Sequence, residues 1–321
     1  FNLGLMYRRG EGVLQDYETA VKWWTLAAEQ GHADAQSNLG VMYEKGLGVP
    51  KDYNTAQKWY TLAAEQGYAF AQHNLGQMYH EGLGVPQNIK TAVKWYSLAG
   101  EQGYATAQFN LGLMYSKGLG VLQDYETAMR WYTLAAEQGN AGARFNLGLM
   151  YAQGTGLPQD YKTAMKWFTL AAEQGDADAQ YNLGFLYANG LGAAKDYKTA
   201  VKWYTRAAEQ GFADAQRNLG WMYRRGQGVP QNYKTAVKWL TLAAEQGNAD
   251  AQFNLGVMYD KGRGVLQDNL YAHMWWNIIA SNGDEEGGKL RDKVAKEMTS
   301  SQIEKAQDLA RECVRKEYKG C

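Results

Sequence analysis

Residues 32–67 read HADAQSNLGVMYEKGLGVPKDYNTAQKWYTLAAEQG, and this stretch decides the fold. Ala35, Leu39, Met42 and Tyr43 recur at three- and four-residue spacing, which predicts an amphipathic helix over Ala33 to Tyr43. Gly46-Leu47-Gly48 follows, and glycine tolerates the positive φ that closes a helix. Pro50 cannot continue that helix, because it lacks the backbone donor. Asp52 stands where an N-cap belongs, and Ala56, Trp59, Tyr60, Ala63 and Ala64 carry a second helical stripe to Gly67. The unit is a helix pair without a strand pattern. Gly40 and the alanines at 33, 35, 56, 63 and 64 leave notches into which Trp59 and Tyr43 are expected to fit.

The pattern extends in both directions. Asn-Leu-Gly occurs at Asn2, Asn38, Asn74, Asn110, Asn146, Asn182, Asn218 and Asn254, always 36 residues apart. Trp keeps the same period at 23, 59, 95, 131, 167, 203, 239 and 275, and the Asp52 register is always Asp or Asn. Such a period explains the 37 Gly, 11 Trp and 23 Tyr of the 321 residues, and it means stacked supersecondary units rather than separate globular domains. The eighth copy departs from the pattern, its second helix reading Asn269 to Trp276 and ending at Gly283. Beyond it, Leu290, Val294 and Met298 mark one amphipathic stretch. Thr299 with Gln302 makes a capping box for another, through Ile303, Ala306, Leu309, Ala310 and Val314. Residues 284–321, with charged outward positions, are expected to cap residues 1–283.

The repeat resembles the Sel-1-like family, a branch of the tetratricopeptide-type helical solenoids. The resemblance rests on Ala33-x-Ala35-Gln36-x-Asn38-Leu39-Gly40-x-Met42-Tyr43, Gly46-x-Gly48-Val49, Asp52-Tyr53, Ala56, Lys58-Trp59-Tyr60 and Ala63-Ala64-Glu65-Gln66-Gly67. It implies an all-α, right-handed α-solenoid of stacked antiparallel helix pairs with a C-terminal helical cap. Eight repeats would fill 1–283, the first beginning at Phe1 inside its first helix. The resemblance also implies an adaptor or scaffold that holds a protein or peptide, and some secreted bacterial members act in host interaction. Cys313 and Cys321, eight apart, resemble the cysteine spacing of the family's cysteine-rich secreted branch, which would imply a disulfide and a periplasmic or secreted protein. On a continuous helix the pair would lie about 12 Å apart, too far to bond. A turn after Lys319-Gly320 would bring them together, and two separate thiols is the alternative.

Composition and motifs bound the chemistry. Lys+Arg and Asp+Glu are both 33, so the charge balance carries no general footprint for nucleic acid. No apolar stretch is long enough to insert into a membrane as a helix. Gly46-x-Gly48 lacks a third glycine and sits between helices, not after a strand, so it is no nucleotide loop. His32, His73, His80 and His273 show no metal spacing. The resemblance brings in a β-lactam-binding or hydrolase-like alternative. No serine opens Ser-x-x-Lys, however, and Lys-Thr-Gly is absent. The chain is read as a monomeric non-enzyme without cofactor.

The expected partner site lies on the first helices. Opposite the constant face, the register of Ser37 reads Phe109, Phe145, Tyr181, Arg217 and Phe253 in the later copies, and that of Val41 reads Leu113, Leu149, Phe185 and Trp221. Side chains that vary on a constant frame, rich in aromatics, are what a recognition surface shows. Asn110, Asn146, Asn182, Asn218 and Asn254 border this ribbon. Asn is a poor mid-helix residue, so its recurrence needs a hydrogen-bonding reason: a bound peptide's backbone, or the neighbouring repeat.

Overall fold

The computed structural model describes residues 1–321, all helix and connecting turns. Two compact units divide the chain, Phe1–Gln159 and Asp160–Cys321. The first holds α1 (Asn2–Arg9), α2 (Tyr17–Glu29), α3 (Ala33–Lys45), α4 (Tyr53–Glu65), α5 (Ala69–Glu81), α6 (Ile89–Glu101), α7 (Ala105–Lys117), α8 (Tyr125–Glu137) and α9 (Ala141–Gln153). The second holds α10 (Tyr161–Ala172), α11 (Ala177–Asn189), α12 (Tyr197–Glu209), α13 (Ala213–Arg225), α14 (Tyr233–Ala244), α15 (Ala249–Asp260), α16 (Asn269–Ser281), α17 (Glu285–Ala295) and α18 (Ser300–Arg315). Each unit is a helical-repeat solenoid in which consecutive helices pack against one another.

Local chemistry sets the helix ends. The side chains of Asp16, Asp52, Asn88, Asp124, Asp160, Asp196, Asn232 and Asp268 each accept a bond from a first-turn N–H, satisfying donors that have no partner within the helix. The loop glycines meet two demands at once. Gly48 has φ 68°, and a Cβ there would lie 2.4 Å from the backbone carbon of Tyr17 in the preceding repeat. Only glycine permits both the backbone and the approach.

The core is keyed one residue later than the sequence suggests. Trp59 is only partly buried, packing onto the preceding repeat's cluster around Ala28 and Ala35, and Trp23 is 39% exposed. The fully buried anchors of the first five helix pairs are Trp24, Tyr60, Tyr96, Tyr132 and Phe168, whereas the expected tryptophan register is itself buried at Trp203 and, together with Trp276, at Trp275. Adjacent helical positions differ by about 100°, and both fit a three-four stripe, so periodicity alone does not choose between Trp59 and Tyr60. The glycine notch chooses: a Cβ on Gly40 would sit 2.5 Å from Cε1 of Tyr60. The buried rings keep their polar ends bonded, Tyr60 Oη to Glu44 Oε2 at 2.6 Å and Trp24 Nε1 to the Phe1 carbonyl at 3.2 Å. Tyr43 is half-buried, against the following repeat's cluster.

A glutamine network is the polar part of the core. Gln36 donates to the Ala28 carbonyl at 3.1 Å, and the same bond recurs at Gln72, Gln108, Gln180, Gln216 and Gln252. At the fifth copy Arg144 replaces this glutamine and donates from Nε to the Ala136 carbonyl at 3.0 Å.

In the C-terminal segment, Val294, with Leu290 and Met298 beside it, packs on Ala272, Trp276 and Ile279. The expected capping box of α18 is present. Its inward face runs through Ala306, Ala310 and Cys313, and Val314 is 46% exposed, one position off the expected stripe. Glu317, Tyr318 and Gly320 adopt positive φ and turn the chain back, so Cys313 and Cys321 come to 5.5 Å between Cα atoms and form a disulfide.

Candidate functional site

Fourteen residues form the expected ribbon and its border, six in the first unit and eight in the second. In the first unit, the Phe109 ring lies 6.0 Å from that of Tyr132 in its own helix pair and against Gly142 of the following one. Asn110 Nδ2 lies 3.3 Å from His73 Nε2 of the preceding repeat. Asn146 donates to the Gly142 carbonyl four residues back in its own helix, and Leu113, Phe145 and Leu149 are half-buried.

In the second unit five of the eight converge. Tyr181 and Phe185 on α11 and Arg217, Asn218 and Trp221 on α13 line one cavity of about 330 Å³. The other three lie apart: Asn182 and Asn254 donate to the Asp178 and Asp250 carbonyls of their own helices, and Phe253 packs beside Trp276. The asparagine register is therefore not a uniform row of free amides. Asn110 meets the neighbouring repeat, as one expectation had it, whereas Asn146, Asn182 and Asn254 bond within their own helices, which was not expected.

The Ser37 register packs sideways onto the next repeat rather than lying fully open. Tyr181 sits 5.1 Å from the Phe212 ring and 5.8 Å from the Tyr204 ring. The Val41 register stays more accessible, with Phe185 42% exposed and Trp221 half-buried. This offset gives the cavity a floor of phenols and a mouth of larger hydrophobes. Burial raises the pKa of both Tyr181 and Tyr204, so both hydroxyls stay protonated at neutral pH. The Asn218 amide and the Arg217 guanidinium lie against Tyr181 and offset part of that shift. Arg217 is itself balanced by Asp214 at 3.5 Å and Asp250 at 3.4 Å.

Tyr197, Tyr204 and Lys195, which lie off the first helices, and Ala188, Asn189 and Met222, which lie on α11 and α13 outside the two variable registers, complete the lining and were not expected there. One signal does point to Lys195. In the other repeats its register is Gln except at Lys51, and Gln87, Gln123 and Gln231 each donate to the carbonyl seven residues back. Lys195 instead lies over the Tyr197 ring at 5.7 Å, and the cavity opens beside Ala188 and Asn189. The cavity offers aromatic faces, an amide and cations, with no nucleophile paired to a base. It can hold an apolar side chain and hydrogen-bond a chain beside it.

The Sel1 repeat model matches residues 1–32, 33–68, 69–104, 105–140, 141–176, 177–212, 213–248 and 249–284. Among solved structures, a Sel1 repeat protein from Oxalobacter formigenes is 38% identical with a TM-score of 0.68, over 86% of this chain and 80% of that one. A protective antigen of uropathogenic Escherichia coli strains, displaying an SLR fold, is 35% identical with a TM-score of 0.45, over 99% of this chain and 84% of that one. Comparison with curated proteins gives no match.

Proposed function

The chain belongs to the Sel1 repeat family, and on that premise we propose that it is a non-catalytic scaffold that binds a protein or peptide through the first helices of its sixth and seventh repeats. The observation that carries this reading is the convergence of Tyr181, Phe185, Asn218 and Trp221 on one 330 Å³ cavity. Tyr181, Phe185 and Trp221 come from the two registers that vary while the frame repeats, and Asn218 from the constant asparagine that borders them. Aromatic side chains presented on rigid helices give binding energy at small entropic cost. The supporting contrast is internal: the constant positions Ala179, Leu183 and Leu219 are buried and spent on the core.

The test is selection of random displayed peptides on the intact chain, followed by titration of the enriched sequences. Binding is expected to be lost in the Phe185→Ser/Trp221→Ser double variant while its melting temperature stays within a few degrees of the parent. Enriched peptides that bind the double variant equally well overturn this location. Enrichment of none overturns the reading.

A further inference from the structure

A lysine in the lining of this cavity, and a group of three arginines that starts at its Trp221, have no carboxylate partner. Lys195 lines it and lies over Tyr197, while Arg225 lies over Trp221 at 4.7 Å. Arg263, one repeat further on, lies over Tyr233 at 5.7 Å. Arg224 is half-buried between these last two, and its burial, with Arg225 and Arg263 beside it, holds its pKa below the ordinary guanidinium value. Two nearby cations are paired, Arg217 with Asp214 and Asp250, and Lys261 with Asp260 at 2.8 Å. Residues 189–234 contain eight Lys and Arg against three Asp and Glu, although the whole chain is neutral.

Like charges packed together and partly desolvated are unfavourable unless something compensates them. Cation–π contact compensates in part and leaves the net charge in place. A Lys or Arg in the last turn of a helix is favourable against the helix dipole, which accounts for Arg224 and Arg225 at the end of α13. It does not account for Arg263 and Lys195, which lie outside the helices in the loops before α16 and α12.

We propose that the cavity on repeats six and seven takes an acidic segment of a partner protein, an aromatic or aliphatic side chain entering between Phe185 and Trp221 and neighbouring Asp or Glu residues lying over Lys195, Arg224, Arg225 and Arg263. This rests on the scaffold reading above and adds the partner's charge. A polypeptide fits better than a nucleic acid. Asp178, Asp214 and Asp250 stand beside the ribbon at the N-terminal ends of α11, α13 and α15, where they would repel a phosphate backbone running its length, and the cations are confined to a short stretch rather than forming a track.

The experiment uses the same random peptide library on the intact chain and reads the composition of sequences whose binding depends on Phe185 and Trp221. Asp and Glu are expected to be enriched beside an aromatic or aliphatic residue, with affinity falling as salt rises. Lys195→Glu/Arg225→Glu, both at exposed positions, is expected to weaken those peptides about tenfold with melting unchanged. Enriched sequences that are neutral or basic and unaffected by charge reversal overturn the acidic partner and leave the scaffold reading standing. An absence of Trp221-dependent sequences removes both. A poly(dT) oligonucleotide that binds the intact chain and competes with the peptides overturns the choice of polypeptide.

Discussion

Gln66 donates from Nε2 to Oε1 of Gln36 at 2.7 Å, and Gln36 donates in turn to the Ala28 carbonyl at 3.1 Å. One buried amide thus ties the end of its own repeat's second helix to the end of the previous one. Gln36→Leu keeps the volume and removes both bonds. Ala28 retains its bond from the Gly31 N–H, and Gln66 its contact with the Leu62 carbonyl. The expected cost is therefore about 1 kcal/mol, seen as a lower urea midpoint.

Gly40→Ala tests the notch. Alanine is the better helix former by about 1 kcal/mol, yet its methyl would meet the Tyr60 ring. Net destabilisation of about 1–3 kcal/mol is expected. Gly288→Ala is the control: in α17 the nearest atom to an added Cβ is Ala280 Cβ at 3.7 Å, and this variant should gain up to about 1 kcal/mol. Thermal unfolding of the pair separates space from propensity.

Acid should weaken the fold through His73. Burial lowers its pKa from 6.5, and the ring lies between Asn74 Oδ1 and Asn110 Nδ2, both at 3.3 Å. A neutral ring protonated at Nδ1 satisfies both contacts, whereas a second proton at Nε2 would face the Asn110 amide. The unfolded chain therefore binds the proton at higher pH than the folded one. Stability is full above the unfolded value and is lost as pH falls through it toward the depressed folded value. Buried His273 shifts in the same direction and adds to this. The urea midpoint is expected to drop between about pH 7.5 and 5.5, and His73→Phe to flatten the slope.

Thiol titration of the denatured, unreduced chain should find no free thiol, because Cys313 and Cys321 are joined. Reduction is expected to release the turn at Glu317–Tyr318 and the bond from Gly320 N–H to Glu245 Oε1, leaving helix content nearly unchanged by circular dichroism. Two reactive thiols would contradict the structure.

The helix pairs, caps and glycine loops were legible because each follows from local chemistry repeated eight times. The choice between Trp59 and Tyr60 was not, since it depends on the position of Gly40 on another helix. The same holds at the cavity. Tyr181, Phe185, Arg217 and Trp221 stood out by varying and Asn218 by recurring, but Tyr204 lies on the second helix, and only packing brings it to the floor. The sideways lean of Tyr181 onto Phe212 joins residues on two helices, which no reading of one helix face shows.

The bonds made by Gln36 and its equivalents also bear on how such a chain changes length. Gln216 joins Ala208 to Gln246 just as Gln36 joins Ala28 to Gln66. A tandem duplication or loss of one whole period therefore places a matching donor against a matching acceptor at the new junction, wherever in the glutamine-bearing copies the crossover falls. An insertion of any other length shifts that register and strands buried amides. The interior of each repeat is in this sense a standard coupling, and recombination between copies can lengthen or shorten the outward-facing surface without redesigning the core.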